Sequence, residues 1–106
     1  EPGCTLSVKF LGAAKLRACA GKPDSFCVAQ LRGKPETKVK TKVCRVTRDP
    51  VWGEEHHIKD YAPGDRLDFK VMDHDVGLEA DVLGRVCLLA RDFDLEAGFE
   101  GSLPLR

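Results

Sequence analysis

The sequence has no surplus of charge of either sign. Seventeen Lys and Arg balance seventeen Asp and Glu over 106 residues. A general nucleic-acid binder shows a basic excess, so composition speaks against that class and leaves any electrostatic function to local patches. No apolar run approaches the roughly 18 residues that span a bilayer, and the polar opening Glu1-Pro2-Gly3 is not a signal peptide. Cys4, Cys19, Cys27, Cys44 and Cys87 are scattered, with no CxxC spacing. That pattern argues against a zinc site or a disulfide framework and for reduced, half-buried thiols in a cytoplasmic protein. The only serines, Ser7, Ser25 and Ser102, sit in no G-x-S-x-G motif. With no nucleophile, base and orienting group to assemble, the chain is not expected to be an enzyme. Internal repeats and low-complexity tracts are absent as well.

What is present is an ordinary globular balance, 42% hydrophobic and 32% charged. The length suits one domain with one core over residues 1–106, as a segment of a larger protein. Short alternating runs predict β-strands over 5–11, 26–31, 38–46, 54–58, 66–72, 82–89 and 102–106. In the first, Leu6, Val8 and Phe10 face a core, and in the fifth Leu67, Phe69 and Val71 do. Turn signals separate them, at Gly33-Lys34-Pro35, Arg48-Asp49-Pro50 and Ala62-Pro63-Gly64-Asp65. The stretch 90–99 reads as loop or a short helical turn. Many short strands with regular turns predict an all-β, antiparallel sandwich.

Three segments together resemble the C2 domains of protein kinase C and the synaptotagmins. Ala13-Ala14-Lys15-Leu16 leading to Pro23-Asp24-Ser25-Phe26-Cys27-Val28 is similar to "A-x-x-L … S-D-P-Y-V". Thr41-Lys42-Val43 running into Asp49-Pro50-Val51-Trp52-Gly53-Glu54 is similar to "T-K-V … N-P-x-W-N-E". Val71-Met72-Asp73-His74-Asp75 followed by Asp81-Val82-Leu83-Gly84 resembles "V-x-D-x-D … D-x-x-G". The order and spacing cover nearly the whole chain. The resemblance implies a Greek-key β-sandwich of seven to eight strands, with the eighth expected after Arg106. It also implies peripheral docking on an anionic membrane surface, or on a protein partner, with calcium as the candidate cofactor.

The resemblance matches Asp24, Asp73, Asp75 and Asp81 to four of the family's five calcium-binding aspartates. Carboxylates are suitable ligands for calcium, which takes six to eight oxygens. Asp73 and Asp75 share one side if the strand continues into the loop. The fifth position falls in Arg17-Ala18-Cys19-Ala20-Gly21-Lys22, which holds no acid. Two readings stay open: weak or single-ion calcium binding, and a calcium-independent cup whose repulsion is relieved by Arg17 or Lys22.

Val76 and Leu78 at the tip of the acidic loop suit insertion into a lipid interface, or packing back on the domain. Lys38, Lys40 and Lys42 share one strand face, with Val39, Thr41 and Val43 on the other. They resemble a lysine-rich patch that binds anionic phosphoinositides, and also fit a plain solvated strand. The partner strand offers Phe26, Val28 and Gln30 in place of further lysines. If Phe26 and Val28 face outward, they suit a protein contact. His56 and His57 are adjacent, so a strand sends them to opposite faces and they cannot share a metal ion. His56 is expected in the core with a hydrogen bond, and Trp52 is expected to anchor packing behind Pro50.

Overall fold

The computed structural model describes residues 4–17, 21–74, 79–93 and 101–106. Six strands appear among them. β1 (Cys4–Gly12) pairs antiparallel with β4 (Val51–Tyr61) as a two-stranded sheet. β3 (Val39–Lys40), β2 (Ser25–Leu31), β5 (Leu67–Asp73) and β6 (Asp81–Leu88) form a four-stranded sheet in that order, with antiparallel neighbours. A short helix, α1 (Ala90–Phe93), follows β6. The two sheets make the β-sandwich that the alternating runs predict.

The core lies between the sheets. Val8 and Phe10 from β1 and Ile58 from β4 meet Cys27, Ala29 and Leu31 from β2 and Leu67 and Val71 from β5. Phe10 meets Phe69 edge to face at 6.0 Å across the layer, an arrangement aromatic quadrupoles favour. Tyr61 and Phe93, with ring centroids 5.5 Å apart, close the end away from the aspartates.

The turn into β5 is built as the sequence reads. Asp65 N–H donates to Ala62 O at 3.0 Å, and Gly64 takes φ +93°, as the third residue of a type II turn requires. Lys34 Nζ braces it with bonds to Asp60 O and Asp65 Oδ2.

The expected strand boundaries move in three places. The third strand shrinks from 38–46 to Val39–Lys40. Thr41 N–H bonds to Cys27 O, and Cys44 exchanges bonds with Ser25, so three steps on one chain oppose two on the other. The extra residue is a β-bulge at Lys42–Val43 that ends regular pairing. Thr hydroxyls complete the edge, Thr41 Oγ1 accepting from Cys27 N–H and Thr37 Oγ1 from Leu31 N–H, both at 3.0 Å. The fourth strand grows from 54–58 to Val51–Tyr61 because β1 pairs along its whole length, from Gly12↔Val51 to Cys4↔Tyr61. The stretch 102–106 is not a regular strand, yet Arg106 exchanges both backbone bonds with Arg85 at 2.9 Å. Leu105 packs on the core beside Gly84.

Candidate functional site

Strand register brings the acidic residues to one end of the four-stranded sheet. Asp73 closes β5, Asp81 opens β6, and the two are Cα partners. Ser25 at the start of β2 is the other neighbour of Asp73, which places Asp24 beside it. Asp24 N–H donates to Asp73 Oδ1 at 3.1 Å, and His74 N–H donates to Asp24 O at 2.7 Å. On its other side, Asp24 Oδ1 accepts the Val46 N–H at 2.7 Å. These bonds use Oδ1 of both acids, so Oδ2 of each stays available as a hard oxygen ligand.

Asp75, Val76 and Leu78 lie outside the described residues. Among the described residues no three His, Cys, Asp or Glu side chains converge on one point that could hold a metal ion. The carboxylate set of Asp24, Asp73 and Asp81 fits calcium by donor chemistry, while their spacing leaves the described part of the site open. Arg17 and Lys22 are exposed, and no ion pair among the described residues joins them to these acids.

Asp49, which the sequence marked only as part of a turn, and Val46, which it did not mark, hold this end together. Asp49 Oδ1 accepts the Lys15 N–H at 2.9 Å, and Ala13, Leu16 and Thr47 N–H bond to Pro50, Arg48 and Pro23 carbonyls. The segments 13–17 and 45–50 are thereby stitched to each other. Val46, which clamps Asp24, takes φ +50° and is 66% exposed. A β-branched residue in the left-handed region is strained and needs local support, which the Asp24 bond supplies. Only the Asp-Pro pair pointed to a turn here; the clamp needs the third dimension. Trp52 packs on the core, and its Nε1–H donates to Ser25 O at 3.2 Å, so the indole sits one residue from Asp24.

Lys38, Lys40 and Lys42 are all exposed, with Thr41 buried between the last two. Of Phe26 and Val28, which suit a protein contact if they face outward, Val28 is buried at 9% exposure and Phe26 is half-buried. Val28 stands opposite Lys40 on one side and Lys70 on the other. Long lysine stems on both flanks are the kind of cover that shields such a residue. His56 is half-buried, 5.6 Å from Phe10 edge to face, with Nε2 3.0 Å from Glu54 Oε1. It is a hydrogen-bonded residue packed on the core ring, and His57 is exposed. Glu54 is held below the usual carboxylate range by the Lys42 N–H first and His56 second.

The comparisons with known proteins agree with this geometry. The family model described as C2 domain matches residues 4–105. Synaptotagmin-4 of Arabidopsis thaliana is 37% identical over 98 residues, which is 90% of this chain and 17% of that protein. This chain thus spans under a fifth of that relative's length. A C2 domain of plant Extended Synaptotagmin 1 superposes with a TM-score of 0.78 at 24% identity, over 88% of this chain and 73% of that one. Human GIVD cytosolic phospholipase A2, solved with methyl gamma-linolenyl fluorophosphonate inhibitor and terbium chloride, superposes with a TM-score of 0.75. It is 27% identical, over 87% of this chain and 14% of that one. Aspartates gathered at one end of a β-sandwich, and a family match from the first described residue almost to the last, lead to one conclusion: the chain belongs to the C2 domain family.

Proposed function

We propose that this chain is a non-catalytic module that docks peripherally on an anionic, cytoplasmic membrane surface. The observation that carries the reading is the exposure of Lys38, Lys40 and Lys42 together at the edge of the four-stranded sheet. Each lysine near an anionic leaflet contributes about 1 kcal/mol. Asp24, Asp73 and Asp81, joined by Asp75, would hold calcium as a single or weakly bound ion, which would neutralise the acidic end. Val76 and Leu78 would then enter the lipid interface, where a buried Leu contributes about 1.5–3 kcal/mol. The phospholipase relative is solved with terbium chloride, a source of a hard cation, and this supports the calcium part of the reading.

A second reading is a calcium-independent protein-interaction module. It is favoured by the way Asp24 and Asp73 spend Oδ1 on backbone N–H groups, bracing the loops without an ion. Sedimentation with vesicles separates the two. Phosphatidylserine vesicles should pull the chain down and phosphatidylcholine vesicles should not, with calcium strengthening the first. No binding to anionic vesicles with or without calcium overturns membrane docking.

A further inference from the structure

Glu54 of β4 reaches from the two-stranded sheet to the lysine edge of the other sheet. Its Oε2 accepts the Lys42 N–H at 2.8 Å. Lys42 lies in the bulge, so Glu54 rather than β2 satisfies that N–H. Lys42 O accepts the Thr41 hydroxyl at 2.9 Å. Both backbone groups of Lys42 are thereby fixed, while the residue stays exposed.

The other oxygen of the same carboxylate, Oε1, lies 3.0 Å from His56 Nε2. An ionised carboxylate only accepts, so Nε2 carries the proton in that bond. Nδ1 has no hydrogen-bond partner among the described residues, yet it is not a buried unpartnered atom, so water reaches it. The groups that face His56 can be named. Glu54 is its acid, Lys42 is the charge that faces Glu54 from the lysine edge, and Val8 and Phe10 of β1 carry no charge. Glu55 and His57 alternate to the other face of β4. The His56 and Glu54 side chains are 30% and 23% exposed, and salt screens a partly buried pair much less than an exposed one.

Histidine is the side chain whose charge changes between pH 5 and 8. Glu54 stays ionised over that range, because the Lys42 N–H and His56 hold it below the usual carboxylate range. A proton taken up by His56 therefore goes to Nδ1, leaves the Nε2 bond in place and turns a negative pair into a neutral one. We propose that Glu54 and His56 form a proton-sensitive clasp on the lysine edge, which cancels part of the lysine charge when His56 is neutral and releases all of it when His56 is protonated. The clasp acts through the docking surface proposed above, so an anionic membrane should be bound more tightly at mildly acidic pH.

The test is sedimentation with phosphatidylglycerol vesicles, whose phosphodiester charge is constant from pH 5 to 8, at low salt and with calcium chelated. The chain carries His57→Gln and His74→Gln, which leaves His56 as its one histidine. One charge near an anionic leaflet is worth about 1 kcal/mol, or about fivefold at most. Binding should be about threefold tighter at pH 5.5 than at pH 7.5. His56→Phe keeps a ring against Phe10 and should remove the difference. Glu54→Gln keeps an acceptor for the Lys42 N–H and should bind at pH 7.5 about as the parent does at pH 5.5. A purely structural brace would instead lose binding in Glu54→Gln. Equal binding of the parent at both pH values, or a pH dependence that survives in His56→Phe, overturns the clasp. No binding at either pH overturns the docking function instead. The Lys42 amide resonance then decides the clasp, as it does if a variant fails to fold. It should shift with the same midpoint as the His56 ring, and a Lys42 amide that stays flat from pH 5 to 8 overturns the clasp.

Discussion

Asp24 is tied to Asp73 through its backbone: the Asp24 N–H donates to Asp73 Oδ1 at 3.1 Å, one residue before β2 begins. One carboxylate oxygen of Asp73 therefore fixes the entry of a neighbouring strand, and a ligand role for the other is the proposal to be tested. Substitutions can separate the two roles. Asp73→Asn keeps a carbonyl acceptor at the Oδ1 position and loses the charge. It should fold near normally and lose any rise in melting temperature with millimolar calcium, which follows from mass action on the folded state. Asp73→Ala should in addition cost about 1 kcal/mol for the missing bond. Terbium luminescence sensitised by Trp52, whose indole bonds to Ser25 O, reads the same site. An emission gain equal in Asp73→Asn and the unsubstituted chain would remove Asp73 from the ligand set.

The lysine strand and the loop tip should respond differently to salt. Lys40→Glu removes one attraction and adds one repulsion, so vesicle binding should fall clearly at low salt. The difference should shrink as screening shortens to about 8–10 Å. Leu78→Ala should weaken binding equally at low and high salt, because apolar insertion is not screened. If Lys40→Glu sediments like the unsubstituted chain at low salt, the lysines form only a solvated face.

Gly84 and Leu105 are in a close approach that tolerates no extra carbon. A Cβ added at Gly84 would lie 2.7 Å from Leu105 Cβ. Gly84→Ala should destabilise by about 1–3 kcal/mol, as overpacking does, by pushing the terminal segment off β6. Adding Leu105→Gly, which removes the Leu105 Cβ, should then cost less in the Gly84→Ala background than alone. Additive losses in denaturant titrations would show that the contact is not what limits position 84.

Acid should loosen the bottom of the sandwich. Burial raises Asp68, but the hydrogen bonds from Arg32 and Cys87 and the charge of Arg32 outweigh it and hold the carboxyl below its usual range. Lys34 and the Ala62 N–H do the same for Asp65. A carboxyl depressed on folding contributes stability that is present above its unfolded pKa of about 3.9 and is lost as pH falls through the folded value. Stability should therefore hold at neutral pH and decline from about pH 4 downward. Asp68→Asn should flatten that decline. A slope identical to that of the unsubstituted chain would mean that Asp68 is not depressed.

Cys27 should be silent to thiol reagents in the native state. Burial pushes it up to about 12, against a small lowering by its contact with the Val28 carbonyl, so the reactive thiolate is scarce at neutral pH. Cys4 is exposed and should react well before Cys27. Mass mapping after brief alkylation at pH 8 should find Cys27 modified only once denaturant unfolds the chain. Labelling of Cys27 as fast as Cys4 would contradict its burial.

Several features were legible in the sequence because they depend on local period and order. Alternation placed Val8 and Phe10 of β1 and Leu67 and Val71 of β5 inward, and Pro63-Gly64 marked its turn. The order and spacing of the segments around Asp24, around Pro50-Val51-Trp52 and around Asp73 and Asp81 sufficed to suggest the family. The adjacency of His56 and His57 was enough to send them to opposite faces. The rest depends on pairing between distant segments, which a local pattern does not contain. The strand read over 54–58 is only the middle of β4, whose ends at 51–53 and 59–61 become strand because β1 pairs along them. The regular lysine and valine alternation of 38–46 gave no hint of the bulge at Lys42–Val43, which follows from how β2 meets it. The sequence left open which way Val28 faces, and its burial between Lys40 and Lys70 follows from strands on either side. Glu54 lies on β4 and Lys42 beyond the end of β3, and only the packing of the two sheets brings that carboxylate to the Lys42 N–H. Local chemistry decided where most strands and turns fall, while the long-range hydrogen-bond register decided the ends of β3 and β4 and which charges meet.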